Sequence, residues 1–149
     1  MYKENEPSQE KFLNDLLKSI NGEFSAVYYY EKLASLAPNQ QVQKQILEIR
    51  NDEIRHYQEF CNLYTSLTGQ QPYPQIIEDM PTNFSSGVLN SFIDEQKTTD
   101  FYHQIGRQTD NPFICELFRT NAADEQNHAV WFLFFLMNLN DQSNHHQHN

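Results

Sequence analysis

Three residues recur in this chain, identical and in the same order, after a shift of 72 positions: Glu23, Glu53 and His56 return as Glu95, Glu125 and His128. Each set reads Glu, an interval of 30 residues, then Glu-x-x-His. A unit present twice is expected to fold twice into the same shape. One Glu followed at this distance by Glu-x-x-His, duplicated, is the sequence pattern of a dinuclear metal site in a four-helix bundle. The correspondence extends beyond these six, with Asp52 matched to Asp124, Tyr30 to Tyr102, Phe60 to Phe132 and Leu67 to Leu139.

The spacing predicts helical hairpins. Each 30-residue interval has a turn signal at its midpoint, Ala37-Pro38-Asn39 in the first copy and Asp110-Asn111-Pro112 in the second. Folded back at that turn, both carboxylates of a copy sit about 15 residues from the bend, roughly 22 Å at 1.5 Å per residue, and face each other across the hairpin. Apolar residues at steps of three and four define four seams. The first runs from Leu13 through Ile20 and Glu23 to Ala34, in a helix from about Ser8 to Leu36. The second runs from Val42 through Glu53, His56 and Phe60 to Leu67, in a helix from Asn39 to Gly69. The third, Val88 to Gly106 through Glu95 and Tyr102, lies in a helix from Ser85 or Ser86 to Arg107. The fourth, Ile114 to Leu139 through Glu125 and His128, lies in a helix from the Asp110-Asn111-Pro112 signal to about Asn140. Residues 70–84 hold Pro72, Pro74 and Pro81 and cannot continue a helix. A connection of that length can travel the length of a bundle, so one crossover is expected between the second and third helices. The fold expected is all-α, a single four-helix-bundle domain over 1–140. The polar segment 141–149, ending His145-His146-Gln147-His148-Asn149, is expected to be a solvated, mobile tail.

Charge narrows the function. Ten Lys and Arg stand against 20 Asp and Glu, a formal charge of −10, which argues against nucleic acid and favours cations. No apolar run reaches the length of a membrane span and residues 1–10 lack the apolar stretch of a signal peptide, so a cytosolic, membrane-free protein is expected. Cys61 and Cys115 are single and each follows a core-type residue, which predicts two small buried thiols.

Four Glu and two His on apolar seams place four negative charges in a nonpolar interior. Ionised carboxylates there must protonate, open to water or hold cations. Two divalent ions carry the +4 that cancels them, so the ligand set suits a pair of metals. Hard carboxylate oxygens with imidazole nitrogens fit iron or manganese, and zinc is compatible. Asp52 and Asp124, each just before its Glu, are expected to accept the second ring N–H of a ligating His on the facing helix, Asp124 from His56 and Asp52 from His128; the alternative is a pair of solvated surface acids. Tyr30 and Tyr102 sit on the seams either as core residues with hydrogen-bonded hydroxyls or as redox participants. Thr99, Gly106 and Asn121 interrupt the seam only in the second copy; they line an approach for a small molecule or satisfy one another. Tyr28, Tyr29 and Tyr30 span too much of the helix circumference for all three to face the core, which suggests an aromatic contact with a second chain and hence a homodimer.

These residues resemble the ferritin-like superfamily, and within it small rubrerythrin-like and bacterioferritin-like di-iron proteins. The resemblance rests on Glu23 with Tyr30, Asp52-Glu53-Ile54-Arg55-His56, Glu95 with Tyr102, and Asp124-Glu125-Gln126-Asn127-His128, and covers the chain from the first helix to the fourth. It implies that Glu53 and Glu125 bridge two metals, that Glu23 and Glu95 are terminal ligands, and that His56 and His128 each complete one metal. It implies a dinuclear non-haem oxidoreductase, with iron the first expectation, reacting with dioxygen or hydrogen peroxide as a ferroxidase or peroxidase. The metal pair itself is then the reactive centre, with no separate acid or base. Two departures stand out: no Cys-x-x-Cys pair exists for a rubredoxin-type domain, so an electron donor comes from outside, and Thr98 occupies the place where rubrerythrins offer a further carboxylate. The resemblance also admits a spore-coat-type assembly protein retaining the site, suggested by the Asn and Gln content and the His-rich tail, and a manganese catalase-like activity, which needs no external donor.

Overall fold

Helix boundaries in this protein are set by side chains that satisfy the otherwise unpaired backbone groups at helix ends. The computed structural model describes residues 6–145, with side chains from 8 to 139. It consists of α1 (Glu6–Ser35), α2 (Gln40–Thr68), α3 (Phe84–Gln108) and α4 (Pro112–His145), with no strand among the described residues. Asn39 caps α2 by accepting from the Val42 N–H at 2.9 Å, and Gly69, in the left-handed conformation (φ 71°), closes it with its N–H on the Thr65 carbonyl. Asn83 caps α3 through the Ser86 N–H, so α3 starts at Phe84 rather than at the expected Ser85 or Ser86. Asn111 caps α4 by accepting from Phe113 and Ile114, with Pro112 at the first helical position, where a missing N–H costs nothing.

The fourth helix corrects one expectation. It continues to His145, five residues beyond the predicted end, so the first part of the supposed tail is helical. No glycine or proline follows Pro112 to stop it. The remainder of the proposed tail, 146–149, lies outside the described residues. Leu67 is also not a core residue, being 44% exposed in the last turn of α2, and its repeat counterpart Leu139 is half-buried. The two cysteines are free but only half-buried. Cys61 packs against one core cluster beside Tyr57 rather than inside the seam.

The core is split into two apolar layers. One is built on Leu16, Ile20, Phe60, Tyr102 and Phe118, the other on Tyr30, Leu33, Ile49, Val88 and Phe132. The internal repeat is visible in their packing, because Phe60 meets Tyr102 and its counterpart Phe132 meets Tyr30, each at 5.3 Å between ring centres. The six repeated Glu and His residues fall between the layers along every helix, so the interior is apolar, then charged, then apolar.

The connection from α2 to α3 lies against one face of α1. The Gln75 N–H donates to Asn21 Oδ1 at 3.0 Å and the Ile77 N–H to Ser25 Oγ at 2.8 Å, while Tyr29 donates to the Gly87 carbonyl one turn further along α1. Gly87 permits that close approach. A Cβ there would stand 2.6 Å from Leu33 Cδ1 and 3.1 Å from Pro81 Cβ. Leu33 is fully buried and the proline ring is rigid, so neither yields freely. Alanine normally stabilises a helix over glycine by about 1 kcal/mol, but overpacking of this kind costs about 1–3 kcal/mol. Gly87→Ala should therefore lower the free energy of unfolding measured by urea titration, and an unchanged or higher midpoint would show that α3 does not depend on this contact.

Candidate metal centre

Each hairpin contributes one Glu from its first helix and Glu-x-x-His from its second, and the four helices aim these side chains at one point. Glu23, Glu53, His56, Glu95, Glu125 and His128 are all at most 2% exposed. Their donor atoms fall into two groups, Glu23, Glu53, His56 and Glu125 in one, and Glu53, Glu95, Glu125 and His128 in the other, with the atoms of each group within 4.8 Å of one another. Glu53 and Glu125 belong to both. Helical geometry brings each Glu and His to the same centre, since a step of three puts them one turn apart on the same face.

The orientation of each ring is fixed from behind. His56 Nε2 lies 2.8 Å from Asp124 Oδ2, and His128 Nε2 lies 2.8 Å from Asp52 Oδ2. With the aspartates accepting, Nε2 carries the proton and Nδ1 faces inward. His56 Nδ1 stands 2.9 Å from Glu125 Oε1 and 3.5 Å from Glu23 Oε1, and His128 Nδ1 stands 3.2 Å from Glu53 Oε1 and 3.5 Å from Glu95 Oε2. Close in distance, these atoms are out of hydrogen-bond alignment. Both Nδ1 atoms, with Glu23 Oε2, Glu53 Oε1, Glu95 Oε2 and Glu125 Oε1, are buried without a hydrogen-bond partner. Such an orphan normally costs about 1–3 kcal/mol. Six of them pointing at one centre, one from each of six residues, is the arrangement of ligands around cations.

Tyrosine hydroxyls hold the outer Glu residues. Tyr102 donates to Glu23 Oε1 at 2.5 Å, and Tyr30 donates to Glu95 Oε1. Every one of these four supporting bonds joins the two hairpins. The expected aspartate pairings are present, and both tyrosines have the hydrogen-bonded core placement. Thr99 and Asn121 do not satisfy each other: Thr99 donates to the Glu95 carbonyl of its own helix, and the Asn121 amide nitrogen has no partner. Arg55 was not singled out from the sequence. Its guanidinium reaches Asp124 at 2.6 Å and Asp52 at 3.3 Å, bracing both aspartates on the α2–α4 side. An exposed Arg beside a His on a helix carries no spacing signal that would have revealed this.

Without metal the cluster is held together by protons. Burial, reinforced by neighbouring Glu charges, pushes Glu53 and Glu125 well above the usual carboxylate range. Burial acts upward on Glu95 as well, but the proximity of Glu125 and His128 outweighs it and lowers its pKa. For His56 burial acts downward, yet the bond to Asp124 and the Glu23 carboxylate overcome it and push the imidazole up to about 10. His128, facing Asp52 and Glu53, is pushed up to about 12 against the same opposing burial. A metal held here would have to displace protons from the imidazoles and from the shared carboxylates.

The chain is thus a four-helix bundle around a buried, two-lobed centre of carboxylates and imidazoles. No family model matches the chain. It is 51% identical over 125 residues to the uncharacterized protein YhjR of Bacillus subtilis strain 168, across 84% of this chain and 86% of that protein, and it belongs to the YhjR family. The hypothetical protein Pfu-1136390-001 from Pyrococcus furiosus superposes with a TM-score of 0.77 over 88% of this chain and 91% of its own; at 17% identity that likeness shows the fold alone.

The proton-held cluster makes stability pH-dependent. Glu53, Glu125, His56 and His128 all bind protons more tightly folded than unfolded. Their stabilisation is complete below the ordinary values of 4.5 for Glu and 6.5 for His, and is lost as pH rises through the folded values, about 10 for His56. Metal-free protein should melt at a lower temperature at pH 9 than at pH 6 in scanning calorimetry; a flat or rising profile would contradict this charge state.

Proposed function

We propose that this chain is a ferritin-like dinuclear metal oxidoreductase of the ferroxidase or peroxidase type, with iron as the metal. The observation that carries the reading is the pair of four-residue donor groups sharing Glu53 and Glu125, with one unpartnered buried atom from each residue turned inward. Glu53 and Glu125 would bridge, Glu23 and His56 would complete one metal, and Glu95 and His128 the other. When bound, a redox-active pair supplies the electrons that reduce dioxygen or hydrogen peroxide.

The chain's own residues prepare the centre. Asp124 and Asp52 hold the imidazole tautomer with Nδ1 inward. Tyr102 and Tyr30 hold Glu23 and Glu95 by their Oε1 atoms, leaving Glu23 Oε2 and Glu95 Oε2 without a hydrogen-bond partner and free to ligate. The aromatic layers of Phe60, Tyr102 and Phe118 on one side and Tyr30 and Phe132 on the other close the centre along the bundle axis and keep the local dielectric low there. Both tyrosines are held protonated, since burial and then the neighbouring Glu charges raise them well above their ordinary values. They act here as hydrogen-bond donors.

Within this reading the 69–83 connection is the crossover of a ferritin-like bundle, supported by its bonds to Asn21 and Ser25 on successive turns of α1. No helix of the described residues is long and apolar enough to cross a membrane. A homodimer is supported by exposed apolar surface: Tyr29 and Tyr30 are buried and Tyr28 is left 44% exposed, and Val130, Leu133, Phe134 and Met137 form a stripe along the outside of α4. Sedimentation equilibrium should give twice the chain mass, and a monomer at all concentrations would contradict the dimer.

Protein loaded anaerobically with ferrous iron should oxidise it on exposure to dioxygen or peroxide over many turnovers. Glu53→Gln combined with Glu125→Gln should abolish both metal retention and turnover while leaving the helical circular dichroism intact. Bound metal without turnover would point to the assembly role, and peroxide disproportionation by manganese-loaded protein without an external donor would point to the catalase-like one.

A further inference from the structure

The metal centre has two unlike sides. On the α2–α4 side, Asp52, Asp124 and Arg55 close it with ion pairs. On the α1–α3 side, a cavity of about 200 Å³ reaches three of the candidate ligands, Glu23, Glu53 and Glu125. A single water needs roughly 10–15 Å³ by the same measure, so the space admits a cation with part of its hydration shell. Glu23 Oε2, Glu53 Oε1 and Glu125 Oε1 are the unpartnered buried atoms among its walls.

Two further acids stand on this side. Glu78 from the α2–α3 connection and Asp94 from α3 line this cavity and also an adjoining one of about 290 Å³. Neither forms an ion pair among the described residues. The one lysine of the inner cavity, Lys18, has its ammonium 4.6 Å from the centre of the Phe101 ring. The walls thus carry five carboxyl groups against one cation, and of the five Glu53 and Glu125 hold protons in the metal-free protein.

Gly22 leaves the α1 wall of this cavity without a side chain. It lies inside the 30-residue α1 and lines the inner cavity. Glycine is the least favourable helix residue apart from proline, and close packing does not explain it, because a Cβ there would meet nothing within 4 Å. The repeat maps Gly22 onto Asp94 and Ala26 onto Thr98, and all four line this cavity. The opening therefore sits between equivalent positions of α1 and α3, with a bare backbone on one side and an acid on the other.

We propose that this cavity is the path by which a divalent cation reaches the buried centre, with Glu78 and Asp94 as the carboxylates that draw it in and Gly22 as the gap that keeps the way open. The proposal rests on the reading of the six-residue cluster as a metal site. Charge lining a low-dielectric cleft raises on-rates by about 10–10³-fold and is weakened by salt.

Stopped-flow uptake of cobalt(II) by metal-free full-length protein, followed by its visible absorption, tests the proposal. Glu78→Gln combined with Asp94→Asn should slow loading about tenfold or more and remove its salt dependence, with final stoichiometry unchanged. Gly22→Leu should slow loading as well, while the metal-free protein melts no lower than wild type, since leucine favours the helix. Wild-type loading rates in both variants would overturn the path. A loss of stoichiometry in the acid variant would overturn it too, by making the pair ligands. Absence of cobalt binding in wild type would instead refute the metal-site reading itself.

Discussion

Burying four carboxylates and two imidazoles in the middle of a helical bundle is the constraint to which the rest of this structure responds. An ionised carboxylate removed from water without a partner is far too costly for a domain whose net stability is about 5–15 kcal/mol. The chain meets the problem by directing all six groups at one another, so that counter-charge placed at a single centre serves them all. In the absence of metal that counter-charge is protons, on two imidazoles raised far above their ordinary range and on the two shared glutamates. Two divalent cations would supply the same charge and would meet the inward Nδ1 atoms and carboxylate oxygens that no hydrogen bond satisfies.

The same constraint ties the two hairpins together. Direct packing is extensive within each hairpin, and the two hairpins are joined across the site by Asp124 to His56, Asp52 to His128, Tyr30 to Glu95 and Tyr102 to Glu23. Each bond starts in one copy of the repeat and ends in the other, so the duplicated sequence becomes a pseudo-twofold site. Symmetry is broken where the surroundings differ. Arg55 braces both aspartates on one side, and the proline-containing connection brings Glu78 to the other.

The centre was legible in the sequence because its signals are periodic. A 72-residue repeat, a step of three and the 3.6-residue helical period together fix which face each of the six residues occupies, and adjacency to Glu53 and Glu125 fixes Asp52 and Asp124. What escaped lacks periodicity. Glu78 lies in an irregular segment whose course depends on bonds to Asn21 and Ser25, and no local rule connects residue 78 with residue 94. Asn83 caps α3 and starts it ahead of the two serines, since Asn and Ser are nearly equal in that role and local sequence does not choose between the start points. Leu67 fitted its seam by spacing yet is exposed, because the last turn of α2 runs past the layer that would cover it. The end of α4 was misplaced for a related reason: polar composition says nothing against a helix when no glycine or proline interrupts it.

Anomalous diffraction from crystals of the metal-loaded protein measures directly whether two cations are held between Glu53 and Glu125. Two anomalous peaks about 3.5–4 Å apart, the usual spacing of such pairs, each next to one imidazole Nδ1 and both touching the shared carboxylates, are the predicted result. No peak at the centre of the bundle, or density only at surface acids and histidines, would contradict it.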